Sequence, residues 1–165
     1  MKIALDLGAD VPACIHSRPL YVMGIGESFV GRRVPKSYGV LLVNPMASLS
    51  TPTIFQAFSE QGGGRFDSRR GEARPWPSED KAFIQFLQTD TRNALQTPAE
   101  VVLPQISEVL SVLRGTENCL HVAMSGSGAT CFALFDTEEQ AATAAVDITQ
   151  KYPNWWTKTD SLVEE

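Results

Sequence analysis

The pattern of hydrophobic and polar positions predicts several short strands along the chain. Residues 38–43 are almost uninterruptedly apolar, which is typical of a strand buried on both faces. Residues 21–23 and 29–30 flank a glycine-containing turn at 24–27, and this pattern predicts a β-hairpin. The other predicted strands are residues 121–124, 130–135 and 155–163.

Helical periodicity and capping residues predict three amphipathic helices. The first begins at Ser50 or Thr51, because a hydroxyl residue ahead of a proline suits an N-cap, and it has Pro52 in its first turn. The second covers about residues 79–88. The third opens with a capping box formed by Thr137 and Gln140.

A fourth helix has the clearest start signal in the chain. Thr97 can cap it, Pro98 fits its first position, and Glu100 completes a capping box. The helix is predicted to run unbroken to Arg114 and to stop at Gly115. Its predicted apolar stripe consists of Val102, Ile106, Val109, Leu110 and Leu113.

The mixed order of strands and helices predicts the fold class. Hairpin links between strands favour an α+β fold, in which helices pack on one face of an antiparallel sheet. Residues 61–77 interrupt the pattern with three consecutive glycines, four arginines and two prolines. Such a segment cannot cover a core, so we expect an exposed loop there.

Charge and composition exclude several classes of partner. The formal net charge of −5 gives no basic surface for nucleic acid or anionic lipid. No apolar run approaches the ~18 residues of a membrane span, so we predict neither a membrane nor a nucleic-acid partner. The three cysteines form no paired pattern, which indicates reduced thiols and a cytoplasmic protein.

Two Cys-x-His pairs raise the question of a metal site. Cys14 with His16, and Cys119 with His121, could each present two ligands on one face of a strand. Their spacing matches no common zinc module. We therefore predict no metal site.

Motifs in three parts of the chain carry a family resemblance. The first is Leu-Gly-Ala-Asp-Val-Pro at residues 7–12, followed by Gly-Ile-Gly-Glu at 24–27. The second comprises residues 42–45 and 50–55, and the third is Met-Ser-Gly-Ser-Gly-Ala-Thr at 124–130. In this order they resemble the GHMP kinase superfamily and, within it, the 4-diphosphocytidyl-2-C-methyl-D-erythritol kinase family. The resemblance covers nearly the whole chain.

The resemblance implies that Asp10 is the catalytic residue. Phosphorylation of an unactivated alcohol needs a carboxylate that accepts or orients the hydroxyl proton during attack on the γ-phosphorus. The alternative interpretation is structural, because an aspartate two residues before Pro12 is also typical of a capped turn.

The resemblance also implies a substrate pocket. It places Phe55 among the aromatic residues that stack on the cytosine ring of the substrate, with Thr51 and Pro52 shaping the pocket. The helical spacing of Phe55 with Ile54 and Phe58 is equally typical of a core residue. Both interpretations of Phe55 stay open at the level of sequence.

A glycine-rich loop follows the predicted strand at residues 121–124. By resemblance it lies close to the nucleotide phosphates, where successive backbone N–H groups without obstructing side chains can bind an anion. An ordinary β-turn would have the same composition. The loop consists of Ser125, Gly126, Ser127, Gly128 and Ala129.

The function implied is ATP-dependent phosphorylation of the C2 hydroxyl of 4-diphosphocytidyl-2-C-methyl-D-erythritol, a step of non-mevalonate isoprenoid synthesis. The implied cofactor is ATP, with a Mg²⁺ requirement left open, and the implied partner is a small cytidine diphosphate substrate. The rival hypothesis is a non-catalytic α+β module for ligand binding or interaction, derived from such a kinase.

Two departures from the family pattern qualify these expectations. The family's ATP loop and its lysine precede the aspartate motif, whereas only nine residues precede Asp10 here. We therefore expect an inactive chain without the N-terminal kinase half, with residues 1–36 as a remnant of that domain and 37–165 as the C-terminal domain. Ala94 stands where the family often has the aspartate of Asn-Asp-Leu.

Overall fold

The computed structural model describes residues 11–16, 18–23, 28–63 and 75–163, which contain six helices and six strands. In chain order these elements are α1 (Val11–His16), β1 (Leu20–Met23), β2 (Ser28–Gly31), β3 (Tyr38–Asn44), α2 (Thr51–Glu60), α3 (Asp80–Thr89), α4 (Gln96–Val102), α5 (Gln105–Arg114), β4 (His121–Met124), β5 (Cys131–Phe135), α6 (Glu138–Lys151) and β6 (Trp156–Leu162). Within these ranges, none of the helices has the length and apolar character needed to cross a membrane.

Four strands form an antiparallel sheet in the order β4-β5-β3-β6. The central strand β3 pairs with both β5 and β6, so Leu41 lies opposite Ala133 on one side and Thr159 on the other. Because β3 and β4 are both antiparallel to β5, they run parallel with β5 between them. This split βαβ unit, followed by α6 and β6, has ferredoxin-like topology.

The main core lies between this sheet and the helices α5 and α6. Alternate residues of β3, Leu41 and Val43, are fully buried and point to the same face. From α5, Ile106, Leu110 and Leu113 are also fully buried, as the sequence periodicity predicts. The predicted α+β class, with helices packed on one face of an antiparallel sheet, is confirmed.

The helices α2 and α6 begin where the sequence predicts, but their predicted capping hydrogen bonds are only partly present. The Thr137 hydroxyl accepts a hydrogen bond from the Gln140 backbone N–H at 3.3 Å, so the predicted cap of α6 is present. The Gln140 side chain accepts from the Asp136 N–H at 3.1 Å, one residue before the position a capping box uses. Ser50 is the N-cap residue of α2, but its hydroxyl makes no capping hydrogen bond.

The prediction of one helix from Thr97 to Arg114 is wrong. The chain forms α4 and α5 with a break at Leu103, whose backbone angles are φ −135° and ψ 88°. Pro104 explains the break, because proline has no N–H to donate and disfavours helical angles in the residue before it. Gly115 ends α5, as predicted.

The predicted capping box at this helix is also wrong. The N-cap of α4 is Leu95, and Thr97 lies inside the first turn. Instead of reaching back to Thr97, the Glu100 carboxylate accepts hydrogen bonds from Gln96 Nε2 at 2.8 Å and from Ser107 Oγ at 2.7 Å. Glu100 therefore connects α4 to α5 across the break.

The strands β1 and β2 form the predicted hairpin, with Tyr21 opposite Val30. They make a separate two-stranded sheet. The turn at 24–27 lies outside the described residues, as does most of the predicted loop at 61–77. The division into residues 1–36 and 37–165 stays a prediction.

A polar cluster at Lys36 ties α3 to the sheet. The Lys36 ammonium lies 2.5 Å from Asp136 Oδ1 and 3.2 Å from Asp80 Oδ2. The Tyr38 hydroxyl donates a hydrogen bond of 2.7 Å to Asp80 Oδ1. This hydrogen bond, followed by that from Lys36, lowers the pKa of Asp80, whereas burial raises the pKa of Tyr38. Phe83 of α3 then packs against Tyr38 in a second apolar cluster.

Candidate functional site

The glycine-rich loop between β4 and β5 contains a hydrogen-bonded turn. The Gly128 N–H donates to the Ser125 carbonyl at 3.0 Å, and the Ser125 N–H donates to the Thr130 carbonyl at 2.9 Å. Gly126 has φ +55°, a left-handed conformation that glycine adopts without steric cost. The β-turn interpretation of the loop is therefore correct as a description of its backbone.

The two glycines of the loop are required for different reasons. At Gly128, with φ +90°, an added Cβ would lie 2.9 Å from Met124 Sδ and 3.0 Å from Leu49 Cδ2. At Gly126 no atom lies within 4 Å of such a Cβ. Gly128 packs into the core, whereas Gly126 faces open space.

Side chains from two other segments make three contacts with this turn. The hydroxyl oxygens of Thr51 and Ser127 lie 2.8 Å apart and share a hydrogen bond. The Asn93 amide donates to the carbonyls of Met124 at 2.8 Å and Gly126 at 2.7 Å. A simple surface turn needs none of these contacts, so the loop is fixed more firmly than its turn hydrogen bonds alone require.

A fourth contact lies where β5 begins. The Asn44 amide donates a hydrogen bond of 2.9 Å to Thr130 Oγ1, and its carbonyl oxygen accepts from the Met46 N–H at 2.8 Å. In the sequence, Asn44 and Pro45 belong to the second resemblance motif, and no local signal points to a contact with Thr130. The strand order could not be read from sequence, so the proximity of Asn44 to Thr130 was missed.

The structure brings part of the predicted substrate pocket to the loop. Thr51 contacts Ser127 directly, and Pro52 lies beside it in the exposed first turn of α2. Phe55 lies one turn further along and is 52% exposed, while its neighbour Ile54 is fully buried. The core interpretation of Phe55 is therefore wrong, and its ligand role stays a prediction. Asp10 lies outside the described residues.

A cavity of about 820 Å³ adjoins the loop on the side of Asn93. Met124, Arg92 and the aromatic ring of Phe132 are among its lining residues. His121 also lines it, and burial lowers the pKa of this imidazole. The cavity therefore presents a neutral histidine at pH 7.

The described residues contain no cluster of three or more histidine, cysteine, aspartate or glutamate side chains that could bind a metal ion. Cys119 instead donates a weak hydrogen bond from its thiol to the His121 carbonyl, with 3.7 Å between sulfur and oxygen. Burial raises the pKa of Cys119 and raises that of Cys131 to about 12, so both are neutral thiols at pH 7.

The loop has the hydrogen-bonding capacity to bind a phosphate group. In the described part of the chain, the backbone N–H groups of Gly126 and Ser127 have no acceptor. Gly126 is exposed and has no side chain to obstruct an approaching ligand. The loop itself carries no carboxylate that would repel an anion. These features fit a phosphate group better than they fit a metal ion.

Comparison with known proteins agrees with the fold. The family described as GHMP kinases C terminal matches residues 81–154. A crystal structure of a homoserine kinase from Cytophaga hutchinsonii superimposes with a TM-score of 0.60 at 16% identity, over 93% of this chain and 50% of that one. The chain contains the C-terminal domain of the GHMP kinases.

Two sequence relatives have the name of one kinase within this class. The 4-diphosphocytidyl-2-C-methyl-D-erythritol kinase of Wolbachia pipientis wMel is 38% identical over 165 residues, or 98% of this chain and 54% of the relative. That of Paramagnetospirillum magneticum is 37% identical over 155 residues, or 94% of this chain and 52% of the relative. A crystal structure of 4-(cytidine 5′-diphospho)-2C-methyl-D-erythritol kinase superimposes with a TM-score of 0.67 at 25% identity, over 93% of this chain and 54% of that one.

The predicted resemblance is thereby confirmed: the chain is related to 4-diphosphocytidyl-2-C-methyl-D-erythritol kinases over almost its whole length. It spans about half the length of the curated relatives it matches.

Proposed function

We propose that this chain is the C-terminal part of an enzyme that uses ATP to phosphorylate the C2 hydroxyl of 4-diphosphocytidyl-2-C-methyl-D-erythritol, in the non-mevalonate synthesis of isoprenoid precursors. The observation that carries the proposal is the loop from Ser125 to Ala129, which is fixed by Thr51 and Asn93 and in which two backbone N–H groups have no acceptor among the described residues. The substrate names of the relatives support the choice of acceptor.

Each part of the site has a role that follows from its chemistry. ATP supplies the phosphoryl group, and the N–H groups of Gly126 and Ser127 bind its phosphate oxygens. These donors favour transfer by positioning the phosphates and by stabilising negative charge. Asp10 accepts or orients the proton of the attacking hydroxyl. Phe55, exposed beside Thr51 and Pro52, stacks on the cytosine ring.

The proposal is tested in an assembled enzyme, made by joining the N-terminal half of the Wolbachia pipientis relative to this chain. We expect ATP-dependent phosphorylation of the cytidyl substrate by the assembled enzyme. The 165 residues alone should give background rates, because the proposed phosphate-binding elements upstream are needed to position ATP. Turnover by the 165 residues alone would contradict the proposal that phosphoryl transfer needs the N-terminal half. An assembled enzyme that folds and stays inactive would favour a non-catalytic binding module.

The role of Asp10 is tested by Asp10→Asn in the assembled enzyme. Asparagine has nearly the same size and caps a turn nearly as well, but it cannot accept the proton. We expect kcat to fall about 10²- to 10⁴-fold with little change in thermal midpoint. If Asp10→Asn left kcat unchanged, Asp10 would have a turn-capping role only.

A further inference from the structure

Asn93 makes three hydrogen bonds that determine the orientation of its side-chain amide. Its oxygen Oδ1 accepts from the Leu95 N–H at 2.9 Å, which fixes which end of the amide is the oxygen. The NH₂ group at the other end must then donate. It donates to the carbonyls of Met124 and Gly126, so both of its hydrogens are used.

The hydrogen bond to the Gly126 carbonyl also sets the direction of a neighbouring N–H group. The peptide bond between Gly126 and Ser127 is trans, and in a planar trans peptide the C=O and N–H point in opposite directions. Because Asn93 binds the Gly126 carbonyl, the Ser127 N–H points away from Asn93. Within the part of the chain that the structure describes, nothing accepts a hydrogen bond from it.

We propose that Asn93 is a positioning residue, which orients the peptide between Gly126 and Ser127 so that the Ser127 N–H donates to a phosphate oxygen of the nucleotide. Asn93 itself does not touch the phosphate. The proposal rests on the phosphate-binding role given to the loop under the proposed function. It adds that this role depends on Asn93, whose side chain comes from a different segment of the chain.

Asparagine can donate hydrogen bonds to the carbonyls of Met124 and Gly126, whereas aspartate, which has a similar shape, cannot. An aspartate at 93 would place a carboxylate 2.7 to 2.8 Å from two carbonyl oxygens. Both carbonyls would be repelled, and the peptide would rotate away from its present orientation. The hydroxyl bond between Thr51 and Ser127 acts on the side chain of Ser127, so it cannot replace Asn93 in orienting the preceding carbonyl.

The geometric part of the proposal is tested on the 165-residue chain, without nucleotide. Asn93→Asp should shift or broaden the amide cross-peak of Ser127 in a ¹⁵N–¹H spectrum, while cross-peaks of α6 and β6 stay in place. The matched control is Asn118→Asp, which makes the same charge change before β4, at the end of that strand opposite the loop. If Asn93→Asp does not fold, Asn93→Ser, which retains at most one donor, is measured in the same way. An unmoved Ser127 cross-peak in a folded Asn93 variant would overturn the proposal.

The phosphate-facing part is tested by the affinity of the assembled enzyme for ATP, measured by calorimetry. We expect Asn93→Asp to raise the Kd for ATP roughly 10- to 100-fold, as for a lost hydrogen bond to a charged group, and Asn118→Asp to leave it unchanged. An unchanged Kd in Asn93→Asp would refute the inference even if the enzyme turns over. ATP binding that depends on Asn93 without any turnover would support the inference and count against the proposed function.

Discussion

The hydroxyl groups of Thr51 and Ser127 share a hydrogen bond of 2.8 Å although 76 residues separate them in the sequence. Thr51 begins α2, and Ser127 lies in the turn between β4 and β5. This single contact joins the predicted substrate pocket to the predicted phosphate loop. A displacement of α2 would therefore change the position of Ser127 in the loop.

Replacing Thr51 with valine tests this connection. Valine keeps the β-branched shape and removes the hydroxyl, so the chain should stay folded and lose up to about 1 kcal/mol of unfolding free energy. The amide cross-peak of Ser127 should also shift. The control is Thr53→Val, on an exposed residue two positions further along α2. Equal effects of the two substitutions on both measurements would show that the hydroxyl bond does not order the loop.

Local sequence signals predicted most of the helices and strands, because the type and the start of an element depend on a few neighbouring residues. The apolar run from 38 to 43 became the central strand β3, and the cap at Thr137 began α6. The start signal at Thr97 predicts a helix that continues through Pro104, but an internal proline breaks a helix even when its start signal is strong. The break at Pro104 separates α4 from α5, which meet through Glu100 and Ser107.

The site was harder to predict because its contacts depend on strand order. The motif resemblance selected the loop and Thr51, but no local signal places Asn44 beside Thr130. In the sequence, Asn93 stands out only because Ala94 follows it where the family often has aspartate. Two of the three side-chain hydrogen bonds of Asn93 reach residues more than thirty positions away, beyond any periodicity.

The two loop glycines should respond differently to alanine. Gly126→Ala should cost about 1 kcal/mol of unfolding free energy, because only the left-handed φ is unfavourable there. Gly128→Ala should cost roughly 2–4 kcal/mol, since overpacking against Met124, Leu49 and Ile106 adds to the same backbone cost. Urea titration measures both variants. If Gly126→Ala were the more destabilising substitution, the assignment of Gly128 to the core would be wrong.

The stability of the chain should depend on the charge of Asp80 in acid. Its pKa is lower in the folded chain than the ~3.9 of an unfolded aspartate, so the unfolded state binds more protons as the pH falls. The contribution is therefore fully present above the unfolded pKa and is lost as the pH falls through the folded one. Because 45% of the side chain is exposed, we expect less than about 1 kcal/mol.

Urea titrations at pH 5 and pH 3 measure this contribution. Asp80→Asn should reduce the loss of stability between the two pH values, whereas the exposed Asp147→Asn serves as control for removing one carboxylate. Tyr38→Phe should act like Asp80→Asn on this difference, because it removes the hydrogen bond that contributes most to the lowered pKa of Asp80. If both Asp80→Asn and Tyr38→Phe lost as much unfolding free energy between pH 5 and pH 3 as the unchanged chain, Asp80 would not be the source of this pH dependence.

Phe55 and Phe58 offer a test that separates ligand binding from packing within one helix. Phe55 is half exposed and should contribute little to stability, whereas the ring of Phe58 packs so closely on Gly63 that an added Cβ there would lie 2.5 Å from it. In the assembled enzyme, Phe55→Ala should raise the KM for the cytidyl substrate roughly 10- to 100-fold, the range expected for a lost base–aromatic stack.

Phe58→Ala should show the opposite pattern, with a lower unfolding free energy and an unchanged KM, because its partly buried ring packs on Gly63 and does not meet the substrate. Phe55→Tyr should retain the KM, since a tyrosine ring stacks on a base as well. Steady-state kinetics and urea titration of the same preparations give both quantities. If Phe55→Ala left the KM for the cytidyl substrate unchanged, the exposed ring would have no role in binding the base, and the substrate pocket would have to be sought elsewhere than at the first turns of α2.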